Sequence, residues 1–105
     1  MRRGLFVVPA NQNEGGPLPQ AFADWSSSEK SELRRLQAAY PPPHYEMESG
    51  ATEDGDPWWV VCDRALDQVV VHIARIGRRY VIVHPEKNID KTVAQIKIAI
   101  DLLTQ

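Results

Sequence analysis

A chain of 105 residues has room for one hydrophobic core, since folding at this size hides roughly 60 to 65% of the surface that the unfolded chain exposes. With 43% hydrophobic and 25% charged residues it has the composition of a soluble globular protein, and its apolar runs fall far short of the ~18 residues a membrane-spanning helix needs. The formal charge of −2 gives no general attraction to nucleic-acid backbones, and the single cysteine, Cys62, excludes an intrachain disulfide and a zinc site built on several thiolates, which fits a reducing cytoplasmic setting.

Residues 1–25 read as an N-terminal arm and loop. Leu5 to Val8 are β-prone, but Pro9 and the stretch "NQNEGGPLPQ" stop any regular element. The start "MRRGLFVV" imitates a secretion signal, yet its apolar patch is shorter than the 7 to 15 residues such a signal requires. Residues 26–105 then form a single α+β domain. It opens with "SSSEKSELRRLQAAYPPP", in which Ser26 and Glu29 have the spacing of a capping box and the prolines from Pro41 onward end the helix. Leu33, Leu36 and Tyr40 share a face at helical spacing, with Trp25 upstream as a staple, while Glu29 and Glu32 are interleaved with Lys30, Arg34 and Arg35 on the solvated side.

From His44 to His84 the pattern turns to strands: "HYEMES", "PWWVVCD", "QVVVHIARI" and "RRYVIVH", rich in β-branched and aromatic residues and separated by Gly, Asp and Pro. This predicts a four-stranded antiparallel meander. Gly77 and Arg78 suit a two-residue hairpin loop, which pairs Ile76 with Arg79 and sets Ile73 opposite Ile82. In "NIDKTVAQIKIAIDLLTQ", Asn88 or Asp90 is placed to cap a C-terminal helix packed on the sheet, along which Ile89, Val93, Ile96, Ile100 and Leu103 recur in steps of four and three. Ile98 and Leu102 widen that seam beyond what packing on one neighbour needs. "DLLTQ" carries no helix stop signal, which fits a piece of a longer parent.

The run "ATEDGDPWWVVCD" places Glu53, Asp54 and Asp56 around Gly55 and ahead of two tryptophans. Carboxylates at this spacing are candidate metal ligands, and a metal-dependent enzyme built on them is one alternative reading. A calcium loop needs more ligands and a closing glutamate, however, and Asp and Gly are also what a turn requires. Trp58 and Trp59 must leave opposite faces of their strand. If Asp63 and Gln68 close the second hairpin as a pair, Trp58, Val60 and Cys62 share a face with Val71, Ile73, Tyr80 and Ile82. Trp59 and Val61 then lie with His72, Ala74, Val81 and Val83 on the other, and Cys62 and His72 point opposite ways.

Both faces are then apolar, and an antiparallel sheet with one wet face should instead alternate. Each face therefore demands a cover, supplied by the two helices on opposite sides or by the helices on one side and a second molecule on the other. No other constellation carries chemistry: His44 and "HPE" at 84–86 match no metal-ligand spacing, and neither a phosphate-cradling glycine loop nor a nucleophile elbow is present.

The order of a helix, "PPPHYEMESG" leading into a meander, and a closing helix resembles in outline, over residues 28–103, the double-stranded-RNA-binding domain. That resemblance implies phosphate contacts from lysines at the start of the last helix. Here "EKNIDKTVAQ" offers Lys87 and Lys91, balanced by Glu86 and Asp90, with Arg78 and Arg79 as further cations of this RNA-binding alternative. The expectation that best fits the whole sequence is a protein-interaction module: a homodimer, adaptor, or regulatory or inhibitor subunit. It has no cofactor, enzymatic chemistry or membrane contact, and it meets a protein partner or a second copy through Trp59, Val61 and Val83 with Ile98 and Leu102.

Overall fold

The computed structural model describes residues 25–105, so the expected N-terminal arm, Trp25 apart, lies outside the described residues. The elements in chain order are α1 (Ser27–Ala39), β1 (Tyr45–Ala51), β2 (Pro57–Asp63), β3 (Gln68–Ile76), β4 (Arg79–His84), β5 (Ile89–Val93) and α2 (Ile96–Thr104), with a 3-10 turn at Pro85–Lys87 between β4 and β5. The strands form one antiparallel sheet in the order β1-β2-β3-β4-β5.

Helix α1 starts where the capping box fixes it. The Glu29 amide donates to Ser26 Oγ at 3.2 Å and the Ser26 amide donates to Glu29 Oε1 at 2.7 Å, which satisfies amides that the first helical turn leaves open. It stops at Tyr40, ahead of the prolines. Leu33 and Leu36 drive its buried stripe into a core with Val61, Val71, Ile73 and Ile82, and α2 adds Ala99, Ile100 and Leu103 to the same core. Both helices therefore cover one face of the sheet.

The opposite face carries its own apolar cluster of Trp58, Val60, Cys62 and Ala74 with Val69. Among the described residues no helix side chain belongs to it, yet Val60 is 0% and Cys62 1% exposed in the single chain. Neither sheet face thus depends on a second copy for shielding at its centre.

Two features differ from the sequence expectation. The sheet has a fifth strand, because the first part of the expected C-terminal helix is extended. Pro85 opens a tight turn, Asn88 sits in the left-handed region at φ 57°, and the β-branched Ile89, Thr92 and Val93 follow. Pairing Ile89–Val93 along the whole of β4, from His84 to Tyr80, covers an edge that would otherwise stay open. Helix α2 is left with nine residues and no side-chain cap at Gln95. It is too short to persist on local hydrogen bonding and is held by burial of Ala99, Ile100 and Leu103.

The second difference is in β3, where it pairs with β2. Asp63 pairs with Gln68 and Cys62 with Val69 as expected, but Val61 pairs with Val71, leaving Val70 as the extra residue of a β-bulge. Beyond the bulge β3 is turned over relative to β2, whose own alternation is as expected. Trp59 and Val61 look toward the helices with Ile73 and Ile82, while Trp58 and Val60 share the far face with His72 and Ala74. The β3–β4 hairpin is as expected: Gly77, at φ 66°, opens the loop, and Ile76 pairs with Arg79 and Ile73 with Ile82.

Trp58 pairs with Gly50 across β1 and β2, and its ring occupies the space a side chain there would fill, since a Cβ on Gly50 would lie 2.6 Å from Trp58 Cζ2. Gly50→Ala should cost about 1–3 kcal/mol through forced displacement of the indole. Urea unfolding would register this as a lower midpoint with unchanged slope; a neutral result would mean that the ring moves aside without penalty.

Candidate functional site

The acidic run is organised as a turn. The Thr52 amide donates to the Asp56 carbonyl at 2.9 Å, the Gly55 amide to the Thr52 carbonyl at 2.9 Å, and the Asp56 amide to Thr52 Oγ1 at 3.1 Å, with Gly55 at φ 87°. Glu53 and Asp54 project into solvent. Among the described residues no group of three or more His, Cys, Asp or Glu side chains is placed to hold a metal ion.

Cys62 and His72, expected to point opposite ways, share the far face because of the bulge. Cys62 nonetheless pairs with Val69, three residues and about 10 Å along β3 from His72, too far for a nucleophile and its base. Burial depresses the His72 pKa to about 4, so the imidazole is neutral at ordinary pH.

The most strongly bonded polar group is Glu29. Its Oε1 accepts from Arg75 Nη1 at 2.5 Å and from the Ser26 amide, and its Oε2 accepts from the Tyr80 hydroxyl at 2.6 Å. The Arg75 guanidinium lies 5.7 Å from the centre of the Trp25 ring. Burial opposes ionisation of Glu29, but the bonds from Tyr80, Ser26 and Arg75 outweigh it and hold the carboxyl below its usual range. Burial and the adjacent carboxylate push Tyr80 up to about 12. A carboxylate saturated by three donors is a clamp between α1 and the β3–β4 hairpin rather than a proton-transfer group.

A second polar cluster locks the end of α2. The Tyr40 hydroxyl sits 2.9 Å from His84 Nε2 and donates to the Leu103 carbonyl at 3.3 Å, and Lys87 Nζ donates to the Leu103 and Gln105 carbonyls, where a cation complements the helix C-terminus. Burial, aided by the Lys87 charge, lowers the pKa of His84. Arg35 ties the helices together through Asp101 Oδ1 at 2.5 Å and also pairs with Glu32.

The residues grouped by sequence reasoning separate in space. Arg78 and Arg79 lie at the start of β4, whereas Lys87 follows its far end, roughly 17 Å or more away at strand rise, and Lys91 stands on β5 rather than at the start of a helix. Among the described residues no row of cations at a helix start is formed. Of the interaction residues, Val61 is fully buried and Trp59 half-buried against the helices, its indole N–H donating to Met47 Sδ at 3.3 Å, while Val83 belongs to the opposite face. Ile98, 44% exposed, and the half-buried Leu102 form a strip along α2, and only Ala94 and Gln95 separate that helix from β5.

Sequence reasoning missed β5 itself, whose helix-side positions Ile89, Lys91 and Val93 end the sheet beside this strip. The period-two alternation apolar-lysine-apolar was its visible signal. Comparisons of the chain with protein-family models, curated proteins and solved structures give no match. No described helix is long and apolar enough to cross a membrane.

Two predictions follow from these groups. Glu29→Ala should destabilise by about 3 kcal/mol, the lower end for breaking a buried pair, because Arg75 keeps 25% of its side-chain surface in solvent; thermal or urea unfolding measures this, and a loss below 1 kcal/mol would show that the clamp carries no net stability. The acid response should have two windows. Since the folded His72 pKa lies below 6.5, protonation favours the unfolded chain, so stability is complete above about pH 6.5 and drains toward pH 4, with His84 acting in the same direction. The Glu29 contribution survives that window and is lost only below the usual carboxylate range. Unfolding midpoints at pH 7 and 4.5 should therefore differ less in His72→Phe than in the parent.

Proposed function

We propose that this chain is a protein-interaction module whose contact surface is the outer strip of α2 together with the adjoining margin of the sheet at β5. The observation that carries the proposal is that α2 keeps apolar surface in water after its own core contacts are made: Ala99, Ile100 and Leu103 are fully buried, yet Ile98 is 44% exposed and Leu102 stays half-exposed. At about 25 cal/mol per Å² of apolar surface, covering such a strip offers a favourable contribution to association. The other large exposed apolar residues among those described are Leu66, in the turn before β3, and Ile76, at the far end of β3.

Sharing one sheet face between both helices supports the same surface. With both helices on one face and α2 packed toward β4 and β5, the outer helix borders an open sheet margin among the described residues. The module meets a second copy, or serves as an adaptor or regulatory subunit, through that margin.

The test is site-specific photo-cross-linking in the native host, with a benzophenone amino acid at position 98 or, as control, at position 66. A discrete protein adduct at 98 and none at 66 is expected; a mass of two chains identifies a homodimer and any other discrete mass a different partner. Equal labelling at both positions, or none at 98, overturns the proposal.

A further inference from the structure

The edge strand β5 carries a charge pattern that bears on what it accepts. Among the described residues it pairs only with β4, so alternate backbone amides and carbonyls along Ile89–Val93 face away from the sheet, in the arrangement that allows another strand to add. On the helix side it presents Ile89, Lys91 and Val93, two half-buried apolar side chains flanking an exposed lysine. The cross-strand neighbour of Lys91 is the fully buried Ile82. Among the described residues the Lys91 ammonium makes no ion pair. On the far side the strand shows Asp90 and Thr92, both exposed.

This pattern disfavours a second copy. Two β5 strands related by a two-fold axis pair antiparallel with their faces kept in common, so residues directly opposite share a face. The central register sets Lys91 against Lys91. Sliding by one pair toward the N-terminus sets Asp90 against Asp90, and sliding the other way places each Lys91 against Val93. Like charges directly opposite are destabilising, and an ammonium set against Val93 gains no charge partner. The same charges favour a strand of complementary order, with an acidic residue opposite Lys91, a basic residue opposite Asp90, and apolar residues opposite Ile89 and Val93.

We infer that β5 is a strand-addition site for a different protein, which supplies an extended segment of the order apolar, any, acidic, basic, apolar, running antiparallel to Ile89–Val93. The inference rests on the proposed docking surface and names its partner chemistry. Backbone bonds along β5 supply attraction without sequence preference, and the Lys91 and Asp90 contacts supply the choice.

Two synthetic peptides of identical composition test it: Thr-Val-Thr-Glu-Lys-Val-Thr and its charge-swapped form Thr-Val-Thr-Lys-Glu-Val-Thr, titrated into the isotope-labelled full chain. The Glu-Lys peptide should shift the amides of residues 89–93 and bind about tenfold more tightly than the Lys-Glu peptide, as expected when two cross-strand ion pairs replace two opposed like charges. The exposed double variant Asp90→Lys with Lys91→Glu should reverse that preference while leaving the rest of the amide spectrum in place. Equal binding of both peptides at 89–93 overturns the charge selection. No shift at 89–93 with either peptide overturns strand addition, and cross-linking from position 98 would then still report independently on the docking surface.

Discussion

Side chains on a strand alternate between two faces, so one unpaired residue turns over everything beyond it, and Val70 is such a residue. Because Cys62 pairs with Val69 and Val61 with Val71, the inner half of β2 presents Trp59 and Val61 to the helices and sends Trp58 and Val60 to the far face. The helix-side core then has the shape α1 and α2 require: Leu33, Leu36, Ile100 and Leu103 close over Val61, Val71, Ile73 and Ile82, all at 0–1% exposure. Removing the extra residue would exchange Trp58 and Val60 for Trp59 and Val61 beneath the helices, like side chains for like, so what the bulge settles is which of the two indoles meets the helices and which meets β1 on the far face. The placement of Trp58 over Gly50 depends on the same orientation.

Two polar clusters tie the helices to this sheet. Glu29 belongs both to the cap of α1 and to the clamp on Arg75 and Tyr80, so the residue that starts the helix also fixes where its first turn sits on the β3–β4 hairpin. At the other end, Tyr40 terminates α1 and reaches across to His84 and to the Leu103 carbonyl of α2. A nine-residue helix without a side-chain cap has little intrinsic stability. Its orientation therefore follows from its apolar stripe, Lys87 and Tyr40 at its C-terminus, and the Arg35–Asp101 pair along its side.

These features differ in how openly the residues announce them. The capping box, the prolines after Tyr40 and the glycine-led hairpin are local, and each is governed by backbone conformations that only a few residue types supply; Ser26, Glu29, Pro41 and Gly77 were readable for that reason. The bulge was not, because "VCDRALDQVV" gives no local sign of which valine is left unpaired; that choice is made by packing against helices distant in sequence. The segment from Ile89 to Val93 was ambiguous in another way. Apolar residues four apart satisfy a helical face and also fall on one face of a strand, and the decision came from Asn88 in the left-handed region and from the open edge of β4. The candidate surface was legible in part: Ile98 and Leu102 stood out as surplus to one-sided packing, whereas Trp59 and Val61 were drawn to the wrong side by the unseen bulge.

What emerges at the outer margin is a division of labour between two neighbouring elements. Ile98 and Leu102 offer apolar surface, which is adhesive but undiscriminating, since any oily complement covers it. Strand β5 offers backbone groups that pair with any extended chain, and an edge bearing only aliphatic side chains would invite self-association. Lys91, set between Ile89 and Val93, removes that liability because a second copy meets it with the same charge, while Asp90 guards the next register. An ion pair at an exposed edge is a small energy beside the apolar contact, so its effect is on which partner binds rather than on how tightly a matched partner is held. On the proposed reading, adhesion from the helix and selection from the strand act together, and a small module so built holds one partner in preference to itself.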